Sequence, residues 1–153
     1  MLPKWHILIG FVFSYLLVYF FHFSIFAGTI IFLSSWFLID LDHYLRFISK
    51  SHKLSAIQFW KWSLDRGKRW KKLSREQKKE YKQPIFIFHG IEFILILIVL
   101  SYFFEFFIFV IIGVIIHLLA DYIDILAKKE FFHTKMSQIY TYITNKNKKE
   151  LNL

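Results

Sequence analysis

From Trp5 to Ile39 the chain runs 35 residues without a Lys, Arg, Asp or Glu. A second run, Pro84 to Ala127, covers 44 residues without Lys or Arg; its formal charges are Glu92, Glu105, Asp121 and Asp124. As helices these runs would extend roughly 50–65 Å, against about 30 Å for a bilayer core. Each is too long for one crossing and suits two crossings joined by a tight turn. The pattern therefore predicts an all-α membrane protein with four transmembrane helices in two hairpins, with three spans or re-entrant hairpins as the alternative since spans one and two are short. The spans fall at about 5–22, 24–42, 84–101 and 105–127, with turns near His22-Phe23-Ser24 and between Ser101 and Glu105. The whole chain, 1–153, then reads as a single membrane domain.

The segments outside the runs carry their own pattern. Residues 43–83 form a basic interfacial loop in which Ile57, Trp60 and Leu64 follow helical spacing. Gly67 reads as a stop, and Ser74 with Gln77 as a capping box for a second short helix. Pro84 suits the first turn of the third span. Residues 128–153 form a basic tail, helical in part.

Charge fixes an orientation. The chain is 56% apolar and 22% aromatic, yet its net charge is +9. Lys4 precedes the first run, thirteen basic residues lie between Arg46 and Lys82, and six between Lys128 and Lys149. That places all 20 outside the apolar runs. The positive-inside rule puts both termini and the central loop on the cytoplasmic side of a multi-pass cell-membrane protein. Trp60, Trp62 and Trp70 among Lys and Arg suit helices resting on anionic lipid headgroups. The same mixture can contact nucleic acid; tethering to the membrane at both ends favours lipid. There is no Cys, which excludes disulfides, thiolate metal sites and Cys nucleophiles.

Ionisable groups inside spans are costly and mark functional sites. Here they cluster. His6 opens span one, Asp40-Leu41-Asp42-His43 closes span two, His89-Gly90-Ile91-Glu92 opens span three, and His117, Asp121 and Asp124 lie on span four. Asp40 and His43 are i, i+3, as are His89 and Glu92; His117 and Asp121 are i, i+4, so each set shares a helical face. Asp121 lies six residues before Ala127, roughly 9 Å from that end. His89 lies five residues after Pro84, a comparable depth. All four clusters thus fall in one layer near the cytoplasmic face. His, Asp and Glu without a basic partner in the spans require a cation or protons, and the donor set suits zinc, manganese or iron. His6, Asp40, His43, His89, His117 and Asp121 are the candidate metal ligands, enough for one or two ions. Glu92 or Asp42 is the candidate general base or an orienting partner of a ligand His. Arg46 and Lys50, one and two turns beyond Asp42, are candidates to hold a substrate phosphate. His22, His52 and His133 fall outside this layer and read as ordinary surface histidines.

His6 followed by Gly10, D-x-D-H at 40–43, the His89-led motif and H-x-x-x-D at 117–121 resemble the membrane-bound metal-dependent hydrolases of the YdjM type. The stretch at His89-Gly-Ile-Glu92 departs from that family's H-R-G-x-T-H-S-like pattern. The resemblance implies metal-dependent hydrolysis at the membrane, on a phosphoester or lipid-like substrate. Two other classes compete with it. A divalent-cation or proton transporter would use the same cluster, with an oligomer supplying a polar path. A non-catalytic adaptor would act through the basic loop.

Overall fold

The computed structural model describes residues 3–128, 130–131 and 133–150. Helix α1 spans Pro3–Phe21; residues 22–24 turn the chain, and α2 (Ile25–Leu33) returns antiparallel. Ser24 starts α2 by accepting a hydrogen bond from the Ala27 amide at 3.1 Å, which satisfies one of the otherwise unpaired first-turn donors. The helix then widens to a π-helical turn at Ser34–Leu38 and continues as α3, Ile39–Ser51. His52 ends it in the left-handed conformation, φ 56°. Two further helices follow, α4 (Ala56–Lys72) and α5 (Arg75–Glu80). A 3₁₀ turn at Ile87–His89 leads into α6 (Ile91–Phe103), and α7 (Phe106–Lys128) runs back through the bundle. Short helices α8 (His133–Met136) and α9 (Gln138–Thr144) complete the described chain. Among the described residues there is no strand beyond one isolated bridge, Tyr81 with Lys149.

Among the described residues, three helical stretches are long and apolar enough to cross a membrane: Lys4–Phe21, Ile25–Ser51 and Phe106–Lys128. Their outer faces are correspondingly apolar, with Phe11, Phe20, Phe26 and Leu119 all exposed. Contiguous apolar surface of this kind needs a non-aqueous neighbour. The fourth expected span is shorter than the pattern suggested. α6 has 13 residues, roughly 20 Å of helix. Pro84 does not open it: residues 82–86 and Gly90 lie outside regular helix. Their backbone is diverted into other bonds. The Gln83 amide donates to Asn145 and the Phe86 amide to Gln138, both at 2.8 Å, and the Phe88 amide donates to Asp42 at 2.5 Å.

Two further expectations change. The second span does not end at residue 42. It continues to Ser51 because Phe47 packs against Phe59 and Trp62, with ring centroids 5.7 Å apart in each pair. Gly67 does not stop α4, which runs through it to Lys72. The Ser74–Gln77 capping box is present, with both reciprocal bonds formed.

Close helix crossings bring the future site together. A Cβ on Gly10 would lie 2.1 Å from the Ser35 hydroxyl, and one on Gly113 would lie 2.5 Å from the Ile31 carbonyl oxygen. Small residues at such points let helix backbones approach. His6 is one turn before Gly10, and His117 one turn after Gly113. The crossings therefore bring two histidines from different helices face to face. Ile39, Leu97, Val110, Val114 and Leu118 form the apolar core beside them.

Candidate metal centre

Five elements deliver the site. α1 carries His6, α3 carries Asp40, Asp42 and His43, the 3₁₀ turn carries His89, α7 carries His117 and Asp121, and α8 adds Lys135. The His6 and His117 rings stack with centroids 4.1 Å apart and planes 11° from parallel. Asp121 is the hub. Its Oδ1 is 3.4 Å from His6 Nε2; its Oδ2 is 3.2 Å from His117 Nε2 and 3.7 Å from His89 Nε2. Asp40 Oδ1 lies 3.9 Å from His117 Nε2 and 3.7 Å from His43 Nε2. His6, His89, His117 and Asp121 are each 3% exposed or less, so water does not screen these groups.

The hydrogen bonds assign the tautomers. His117 Nδ1 faces the Ser35 carbonyl oxygen at 2.8 Å. A carbonyl only accepts, so Nδ1 carries a proton, and a neutral ring then presents the Nε2 lone pair toward Asp121. His89 Nδ1 faces Asp42 Oδ2 at 3.3 Å, and that carboxylate also accepts from the Phe88 amide. His89 Nε2 is thereby left as a lone pair too. Neither Nε2 has a hydrogen-bond partner. Two buried lone pairs then converge on one carboxylate oxygen whose cation is the Lys135 ammonium, and a metal ion between them would engage all three groups. A ligand His whose other nitrogen is held by a carbonyl or carboxylate is the usual outer support of a metal site. Among the described residues, three overlapping groups have ligand atoms mutually within 4.8 Å: His6–Asp40–His117, Asp40–His43–His89 and His89–His117–Asp121. The donor set of imidazole and carboxylate fits zinc, manganese or iron.

All six residues expected as ligands thus converge. The other expected residues go elsewhere. Asp42 is buried behind His89 and orients it. Glu92 faces away, accepting from the Ser137 hydroxyl at 2.5 Å and from the Gln138 and Ile139 amides at 3.2 and 3.1 Å. It holds the start of α9 rather than the cluster. Asp124 accepts from Lys128 at 2.5 Å. Arg46 and Lys50 line a separate cavity further along α3. Of the other three histidines, His22 and His52 are exposed and join no ligand group; the side chain of His133 lies outside the described ones.

Lys135 is the residue sequence reasoning missed. Its ammonium donates to Asp121 Oδ2 and lies 5.9 Å from the centre of the Phe86 ring. It sits in a polar tail fourteen residues after Asp121, with no periodicity to mark it. Ser35 was equally hidden, because its contribution is a main-chain oxygen at the π-helical turn. Such turns recur where helices serve a site.

Comparison of the chain with protein-family models, curated proteins and solved structures returns no match.

Proposed function

We propose that the chain is a multi-pass membrane hydrolase that binds one or two divalent ions, zinc foremost, between its helices and cleaves a phosphoester at the membrane face. The carrying observation is the convergence of the unpartnered His89 and His117 Nε2 atoms on Asp121. Buried lone pairs and carboxylates of this kind are costly to leave without positive charge, and a divalent ion would add to what Lys135 supplies. When bound, the ion would acidify water and polarise a phosphoester.

The chain's own groups have defined parts in this reading. His117 and His89 present lone pairs, kept in the right tautomer by Ser35 and Asp42. Asp121 and Asp40 supply negative charge from two helices. His43, a quarter to a third exposed at its side chain with Asp40, forms the open edge by which substrate and water would enter. In the proposed topology α6 is a short fourth crossing, and the basic segments and both termini face the cytoplasm. α4 lies on anionic lipid with Ile57, Trp60 and Leu64, all exposed, toward the acyl layer.

The test is phosphate release by the full chain in neutral detergent. Probes are p-nitrophenyl phosphate and a short-chain phosphatidic acid, each with added zinc or with chelator. Release with zinc, lost with chelator and in His117→Ala, supports hydrolysis. Bound zinc without release from either probe would reduce the site to metal binding, as a cation-handling membrane protein requires.

A further inference from the structure

One helical turn beyond His43, α3 turns from acidic to basic. Arg46 and Lys50 enter a cavity of about 980 Å³, closed by Arg66 of α4, by Lys82, and by Lys146 after α9. This volume is at the upper end of small-molecule sites. Five cations line it against one acid, Glu150.

Neither arginine forms a direct ion pair with a described residue, and Glu150 acts on Arg46 only at longer range. Among the described residues neither guanidinium lies within 4 Å of a carboxylate oxygen. Arg46 Nε is buried without a hydrogen-bond partner. The Arg66 guanidinium carbon stacks 5.4 Å from the centre of the Trp62 ring, which fixes its plane. Burial and the charge of Arg46 push the Arg66 guanidinium down to about 9, so it stays charged at neutral pH but gains from any anion placed beside it. One anion is already present from the chain itself. The Glu150 carboxylate accepts from Lys50 at 3.1 Å and lies 3.6 Å from Lys82. Phosphate matches this set better than a carboxylate does. It offers more acceptor oxygens and a higher charge, and guanidinium forks bind it bidentately.

We propose that this cavity is a phosphate-binding site, in which Arg46 and Arg66 hold the phosphate group of a lipid headgroup or of a soluble phosphate ester, and Lys50, Lys82 and Lys146 surround it. Trp62 offers an aromatic wall for the rest of the ligand. Glu150 is an internal competitor that a phosphate displaces. The site involves no metal, so it stands or falls independently of the proposed hydrolysis.

The experiment is isothermal titration of the full chain in neutral detergent with chelator present. The probes are inorganic phosphate and dihexanoyl phosphatidic acid below its micellar concentration. Saturable binding of either probe is expected. Arg46→Gln and Arg66→Gln should each weaken it about tenfold or more, the scale of a lost charge-assisted pair. Lys68→Gln, exposed on α4 outside the cavity, should leave it within about twofold, as surface charges do. Glu150→Gln should strengthen binding. Tighter binding of phosphatidic acid assigns a lipid headgroup; equal or tighter binding of inorganic phosphate assigns a soluble ester. Should Arg46→Gln misfold, Arg66→Gln and Lys82→Gln, both outside the three long apolar helices, decide the matter. No saturable binding of either probe overturns the proposal. So does binding indifferent to Arg66 and Lys82, or weakened as much by Lys68→Gln.

Discussion

Asp42 and Arg46 stand one turn apart on α3, and the sites they serve are built in opposite ways. The candidate metal centre is made of acceptors: carboxylates and imidazole nitrogens, closed in by helices that cross at Gly10 and Gly113. The basic cavity is made of donors: two guanidiniums and three ammoniums, brought in by α3 itself, α4, the 82–85 segment and the C-terminal turn. Each has a partial internal substitute for its missing counter-charge. Lys135 reaches the metal centre, and Glu150 reaches the cavity. The lesson is that one helix can present two unsatisfied sites of opposite sign when each is given a tethered ion of its own chain.

This contrast can be broken by variants that act on one side only. The largest effect is expected from His89→Ala, which removes a ligand candidate common to two of the three groups. Zinc affinity, read by chelator competition, should fall by about a hundredfold or more, since even supporting residues cost 10–100-fold. Phosphate binding in the cavity should not change. A fall in both would mean that the sites are not separate. Asp42→Asn comes next. It keeps the shape but weakens the hold on His89 Nδ1, and zinc affinity should drop about tenfold or more.

Lys135→Met sharpens the comparison in the other direction. The ammonium competes with a cation for Asp121, so its removal should raise zinc affinity by about tenfold, as loss of a competing partner does. The same variant should melt at a lower temperature without metal, because buried Asp121 then loses its ion pair with Lys135. Unchanged affinity would mean that Lys135 and the metal do not share a place. The smallest effect belongs to His52→Gly at the end of α3. A left-handed residue with a Cβ costs about 1–2 kcal/mol, which glycine relieves in part. Thermal unfolding should shift upward slightly, with both binding affinities unchanged.

The two regions also differ in how far the sequence exposes them. The His/Asp cluster was legible because helical spacing links its parts: Asp40 with His43, and His117 with Asp121, each share a face whatever the tertiary packing. The uncharged runs set the depth of these pairs, and the six candidate ligands meet. The turn at 22–24 was legible for the same reason. What was hidden depends on contacts between distant segments. Pro84 looked like a helix start, but bonds from 83, 86 and 88 to Asn145, Gln138 and Asp42 hold that stretch open. Glu92 looked like a site carboxylate, yet three donors at 137–139 draw it to the tail. Lys135 and Arg66 belong to polar segments whose folding back no local pattern reports. Arg46 and Lys50 were identifiable as a pair, but the cavity around them was not.

The most direct measurement is the metal content of the full chain purified in detergent after zinc supplementation, beside His117→Ala prepared in the same way. The account predicts one or two zinc ions per wild-type chain, and a loss of bound metal in a His117→Ala variant that keeps its helical signal. Wild-type protein without metal, or a folded His117→Ala variant with full occupancy, would contradict it.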